Sequence, residues 1–166
     1  MKRRGFLKLG VLMGSAPYLN AKAVTAFQKE FEAVSPVIEA VLEHIFPVGS
    51  QIPSAKETGL VHFVYETITH PSYDKDIRSF VVEGAKELDK RTQGRFVQMK
   101  HSQKEHALRE YEMTSYGDNW LGRMMTLGME GLFSDPIYGA NPKEAGWKAL
   151  GAYGGQPRPK TRYLGS

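Results

Sequence analysis

Ser35-Pro36-Val37-Ile38-Glu39-Ala40-Val41-Leu42-Glu43-His44-Ile45-Phe46-Pro47 decides the fold class. Val37, Ile38, Val41, Leu42 and Ile45 recur at intervals of three and four, so they share one face of a helix. Ser35-Pro36 is a start signal, with proline at the first helical position, where its missing N–H costs nothing, and Pro47-Val48-Gly49 is the stop. Residues 25–34 can extend this helix backwards. The same period governs most of the chain beyond Pro47. Ser54 with Glu57 forms a capping box opening a second helix, in which Leu60, Phe63, Val64 and Ile68 share a face and which His70-Pro71 ends. A third helix runs from about Asp74 to the neighbourhood of Thr92-Gln93-Gly94, with Ile77, Phe80, Val81, Gly84 and Leu88 in register. Ser102 and Glu105 form another capping box for a short helix through Ala107, Leu108 and Tyr111. Tyr116-Gly117-Asp118 reads as a stop and a new cap before a fifth helix carrying Trp120, Met124, Leu127 and Leu132. Alternation of period two is missing, so the expected fold is all-α, a bundle of five to six helices. From about residue 133 the chain becomes rich in Gly, Pro, Tyr and Trp and irregular, apart from a short helix that Asn141-Pro142 starts and Gly151 stops.

The chain has 166 residues, 22 Lys+Arg against 18 Asp+Glu, a formal charge of +4 and no cysteine. Without cysteine there is no disulfide, thiolate nucleophile, cysteine-ligated cluster or C-x-x-C-H haem attachment. The positive charge invites a nucleic-acid partner, but its position argues otherwise. Residues 1–23 hold Lys2, Arg3, Arg4, Lys8 and Lys22 and no acid, around a short apolar stretch interrupted by Gly10, Gly14 and Pro17. Arg3-Arg4-Gly5-Phe6-Leu7-Lys8 fits the twin-arginine export pattern, and Ala21-Lys22-Ala23 is a small-x-small cleavage site. A basic amphipathic helix lying on a membrane is the alternative reading. Cleavage at Ala23 would leave 17 basic against 18 acidic residues, a net charge near −1, which removes the main argument for nucleic acid. Arg158, Lys160 and Arg162 then read as a solvated terminus, and Lys90-Arg91 to Lys100 as a solvated helix face. The expected organisation is a signal peptide (1–23), a helical domain (24–150) and a tail (151–166).

Candidate chemistry is sparse. His62, Glu66 and His70 fall at i, i+4 and i+8, drifting about 40° per step, so at most two could share an ion. This triplet and the pair His101/Glu105 read as solvated surface. No Glu-x-x-His, H-E-x-x-H, P-loop or G-x-S-x-G pattern occurs. Asp74/Asp76 and Glu110/Glu112 sit two apart and point to different helix faces. Met113, Met124, Met125 and Met129 read as core filler rather than a copper or binding surface. These observations predict no catalytic, cofactor or metal residue in this chain. The densest unexplained feature is Gly131-Leu132-Phe133-Ser134-Asp135-Pro136-Ile137-Tyr138-Gly139-Ala140-Asn141-Pro142, followed by Gly146-Trp147-Lys148-Ala149-Leu150-Gly151. Aromatics interleaved with glycines suit a docking surface or a cap on the domain's own core, and both readings stand.

Phe133 to Asn141, with Gly146-Trp147-Lys148 and the Gly-rich tail, resembles the C-terminal signature of the gluconate 2-dehydrogenase subunit 3 family. Ile45-Phe46-Pro47, the opening near Glu57-Thr58-Gly59 and the twin-arginine leader extend the resemblance, while Ala140 stands where a second glycine is common. The resemblance implies a small subunit without cofactor of its own. Its partner would be a FAD-containing large subunit similar to glucose–methanol–choline oxidoreductases, with a cytochrome c subunit or another acceptor beyond. Arg3, Arg4, Phe6, Leu7 and Lys8 would engage the twin-arginine translocase and export the folded pair to the periplasm, where the complex associates with the inner membrane. Phe133, Asp135, Pro136, Tyr138, Gly139, Asn141, Gly146 and Trp147 are the expected large-subunit contact. A free-standing periplasmic domain that binds a small ligand among Trp120, Met124 and Tyr138 is the competing reading.

Overall fold

α1 (Ala16–Ile45) includes Pro36, so the proline that marks a helix start in the sequence lies in a helix interior. An internal proline costs about 3 kcal/mol. Full burial of a large aliphatic side chain recovers roughly 1.5–3 kcal/mol, and Val37, Ile38, Val41 and Leu42 are all buried within two turns beyond it. Pro36 itself is exposed, and Val34 continues the apolar stripe before it. The computed structural model describes residues 16–162, with side chains from residue 26 onward. Arg3, Arg4, Phe6, Leu7 and Lys8 therefore lie outside the described residues, and Ala21 and Ala23 fall on the backbone of α1. The chain divides into two units, the first ending at Ala33. In that unit Gln28 Nε2 donates to Glu32 Oε1 one turn on, at 2.8 Å.

The second unit, from Val34, holds the other helices. Ser54 and Glu57 form the expected capping box, with Glu57 N donating to Ser54 Oγ at 3.2 Å and Ser54 N donating to Glu57 Oε2 at 2.8 Å. The helix it opens, α2 (Ala55–Thr58), is one turn long, because Gly59 takes φ +68° and ends it. α3 (Leu60–Thr69) follows at once and buries Leu60, Phe63, Val64 and Ile68. α4 (Lys75–Arg91) is capped by Asp74, whose Oδ1 accepts from the amides of Asp76 and Ile77. α5 (His101–Glu112) begins before the expected Ser102 cap: Lys100 N donates to Gln103 Oε1 at 3.0 Å, and Ser102 sits inside the first turn. Glu105, expected to complete that box, instead lies 2.6 Å from His44 Nε2 on α1 and accepts from Arg109 Nε at 2.9 Å. These two bonds hold the Glu105 carboxyl below the usual range, with His44 the larger cause. His101 stacks on His44 with ring centroids 4.4 Å apart. α6 (Ser115–Phe133) is capped by Thr114, so Tyr116-Gly117-Asp118 form its first turn rather than a break before it.

α6 is the hub, packed against α2, α3, α4, α5 and α7 (Ala145–Ala149). Trp120, Met124, Leu127 and Leu132 line its fully buried face. Trp120 Nε1 donates to Val81 O at 3.0 Å and Tyr111 OH to Gly84 O at 3.1 Å, so both polar tips in the core are satisfied. Burial pushes the Tyr111 phenol well above its ordinary range. Gly84 is required there, since a Cβ would lie 2.0 Å from Trp120 Cδ1. The described residues are all-α, as expected, with seven α-helices rather than five or six. Gly59 divides one expected helix, and the C-terminal segment supplies α7.

Candidate functional site

The segment after α6 is organised by the carbonyls that the end of a helix leaves without intrahelical donors. Trp147 Nε1 donates to Phe133 O at 2.7 Å, Asn141 Nδ2 to Ser134 O at 2.8 Å and Ser134 Oγ to Gly131 O at 3.1 Å. Asn141 Oδ1 accepts from Gly146 N at 2.7 Å, so one buried amide ties both ends of the loop together. Only glycine fits at 146, where a Cβ would meet Leu132 O at 2.1 Å. Asp135 caps a 3₁₀ turn (Pro136–Tyr138) by accepting from Ile137 N at 3.0 Å. Gly139 and Asn141 take the left-handed conformations, φ +93° and +53°, whereas Ala140 between them does not, which explains why alanine is accommodated there.

In the tail Arg158 and Arg162 are paired rather than solvated, whereas Lys160 is exposed as expected. Arg158 Nε donates to Asp135 Oδ2 at 2.6 Å and Nη1 to Glu144 Oε1 at 3.0 Å, while its guanidinium lies 4.6 Å from the centroid of Trp147. Gly154 packs so closely on the Trp147 ring that a Cβ would lie 2.1 Å from it. Arg162 Nη2 donates to Tyr138 O at 3.2 Å and pairs with Glu66 Oε2 of α3 at 3.2 Å. Glu66, grouped by sequence with His62 and His70, thus serves the tail. The Ile137 amide, followed by Arg158, holds the Asp135 carboxyl below the usual range.

Beside this clamp a groove of about 380 Å³ is lined by Phe63 and Thr67 of α3, Met129, Glu130 and Phe133 of α6, then Ser134 and Tyr138. Met129 is 42% exposed, and Met125, one turn earlier on the same outer face, is 45% exposed. Only Met124 fills the core. Met113, the C-cap of α5, is exposed, and Met125 and Met129 face outward because the buried face of α6 runs through 120, 124 and 127.

The residues expected to meet a partner divide by burial. Asn141, Gly146 and Trp147 are buried and hold the loop. Phe133, Asp135, Pro136 and Tyr138 are half-buried and Gly139 is exposed, leaving Phe133 and Tyr138 as the apolar surface of that set. The pocket suggested by Trp120, Met124 and Tyr138 does not form, since Trp120 and Met124 are fully buried in the core and Tyr138 lies on the groove. Among the described residues no three His, Asp or Glu side chains are placed to hold a metal ion. The family model for gluconate 2-dehydrogenase subunit 3 matches residues 32–155. The chain belongs to that family. Searches of curated proteins and of solved structures gave no match. Membership makes this subunit 3 chain a component of a multi-subunit dehydrogenase and implies partner subunits. The matched range includes the Asn141 and Trp147 loop and ends at Gly155, before Arg158 and Arg162.

Proposed function

We propose that this chain is the non-catalytic small subunit of a periplasmic FAD-dependent sugar, sugar-acid or related alcohol dehydrogenase, and that it carries the twin-arginine signal for a flavin-containing large subunit. Family membership over residues 32–155 carries the reading. The sequence Arg3-Arg4-Gly5-Phe6-Leu7-Lys8 supports the export role, and the lack of any cysteine is consistent with a cofactor held by the partner. The large subunit meets the exposed Met125 and Met129 together with Phe133 and Tyr138, which line the groove with Met129. Unbranched methionine adapts to an opposing surface at little strain. Electrons pass from the flavin to a cytochrome c subunit or another acceptor without entering this chain.

The test is co-expression with the candidate flavoprotein. Replacing Arg3 and Arg4 together by Lys is expected to abolish the flavoprotein's appearance in the periplasm, and an unchanged periplasmic level would overturn the export role. M125K/M129K is expected to abolish co-purification while leaving the isolated chain folded. Tight flavin in the purified single chain, or dehydrogenase activity without the partner, would overturn the non-catalytic assignment.

A further inference from the structure

Residues 90–104, which join α4 to α5, contain Lys90, Arg91, Arg95, Lys100 and Lys104 and no acid. Arg91 Nε is paired with Glu87 on its own helix at 2.9 Å. The other four make no ion pair with an acid among the described residues. Lys90, Arg95 and Lys100 are exposed, and Lys104 is half-buried, with its ammonium 5.9 Å from the centroid of the Phe96 ring. The corner is preformed. Phe96 is fully buried and anchors a 3₁₀ turn (Phe96–Gln98), closed by Gln98 N donating to Arg95 O at 3.1 Å and Met99 N to Phe96 O at 3.2 Å. Thr92 Oγ1 donates to Leu88 O at 3.0 Å, and Gly94 N to Asp89 O at 2.8 Å, fixing the exit from α4. Val97, 37% exposed, and the half-buried Met99 lie between Arg95 and Lys100 in the chain.

We propose that this corner docks on the anionic surface of a lipid bilayer, with Lys90, Arg95, Lys100 and Lys104 against headgroup phosphates and Val97 and Met99 at the headgroup level. Protein interfaces deplete lysine and enrich exposed aromatics. Here three of the four cations without an acid partner are lysines, Phe96 is fully buried, and the His101 ring is already stacked on His44. Single-stranded nucleic acid would need a free aromatic face for stacking, and this corner has no exposed Phe, Tyr or Trp, while His101 is stacked on His44. No described helix is long and apolar enough to cross a membrane, so the contact is peripheral. Cations near an anionic leaflet each raise membrane partition roughly fivefold, and screening weakens them as salt rises. The inference does not depend on the proposed flavoprotein partner.

The experiment uses the full chain carrying K2Q/R3Q/R4Q/K8Q, which removes those four leader charges, and compares it with the same chain also carrying K90Q/R95Q/K100Q/K104Q. Co-sedimentation is measured with phosphatidylcholine vesicles containing about one part in three phosphatidylglycerol, and with phosphatidylcholine alone. The parent is expected to bind the anionic vesicles at low salt, release at near-molar salt and ignore neutral vesicles. The corner variant, with unchanged circular dichroism, is expected to bind at least about thirtyfold more weakly, and V97S severalfold more weakly. Absence of parent binding, or equal binding by parent and corner variant, would overturn the proposal. So would binding of polyglutamate or an oligonucleotide as tight as that of the anionic vesicles, since the corner would then be a general polyanion surface.

Discussion

Asn141→Ala probes the joint on which the C-terminal segment depends. The side chain is fully buried and makes two hydrogen bonds, to Ser134 O at 2.8 Å and from Gly146 N at 2.7 Å. Truncation strands both backbone groups, at about 1–3 kcal/mol each. The residue also has φ +53°, which asparagine tolerates, whereas alanine there costs a further 1–2 kcal/mol or so. The total is roughly 3–8 kcal/mol, a large share of the stability of about 5–15 kcal/mol typical of a folded chain. The midpoint of thermal unfolding followed by circular dichroism should fall by roughly 6–30 °C, at about 2–4 °C per kcal/mol for a domain of this size. If the loop opens ahead of the rest, the loss appears instead as rapid amide exchange at Gly146 and the indole of Trp147. N141G keeps the backbone conformation unstrained but loses the same bonds, so it should fall between N141A and the parent. A melting temperature within about 2 °C of the parent, with unchanged exchange at Gly146, would refute the account. Equal effects of N141G and N141A would refute its left-handed component alone.

Gly84→Ala should destabilise by about 1–3 kcal/mol or more through overpacking, because Trp120 is pinned by its bond to Val81 and cannot withdraw; a melting temperature and tryptophan fluorescence equal to the parent's would contradict this. Arg158→Gln should free the tail from Asp135, Glu144 and Trp147, making residues 151–162 the first site of limited proteolysis, and a cleavage rate equal to the parent's would show that the clamp does not hold the tail. Because the folded Asp135 carboxyl is held below its ordinary value of 3.8, its stabilisation is present above that value and is lost as pH falls through the lowered one. Asp135→Asn should therefore flatten the acid limb of the stability profile, and an acid limb as steep as the parent's would remove Asp135 as its source.

Local signals in this chain are legible wherever the interaction is local. The capping box at Ser54 and Glu57, the cap at Asp74 and the buried face of α3 follow from spacing alone, since each involves residues within one or two turns; on α4 Val81, Gly84 and Leu88 are buried as expected, while Ile77 and Phe80 are half-buried and Val82 and Ala85 complete the face. The Ser102 cap misleads because an alternative start two residues earlier has its own partner in Gln103, and because Glu105 is recruited by His44, 61 residues away. Pro36 misleads for a related reason: burial on either side of it outweighs a local stop signal. The methionines of α6 could have been sorted by helical phase, since 125 and 129 fall off the face defined by 120, 124 and 127. Nothing in the local sequence marks Arg158 as a partner of Asp135, 23 residues earlier, or Arg162 as a partner of Glu66.

By itself the sequence determined the all-α class, most of the core and the kinship with gluconate 2-dehydrogenase subunit 3, because periodicity and a continuous motif are properties of neighbouring residues. Tertiary structure decided which residues of that motif build the loop and which face outward. Asn141, Gly146 and Trp147 are consumed in satisfying the carbonyls at the end of α6 and the loop backbone, a demand visible only once the helix end and the returning chain are together. It also decided that Arg158 and Arg162 are clamps and that Met125 and Met129 lie open beside the groove, since pairing and exposure depend on which distant groups the fold brings near.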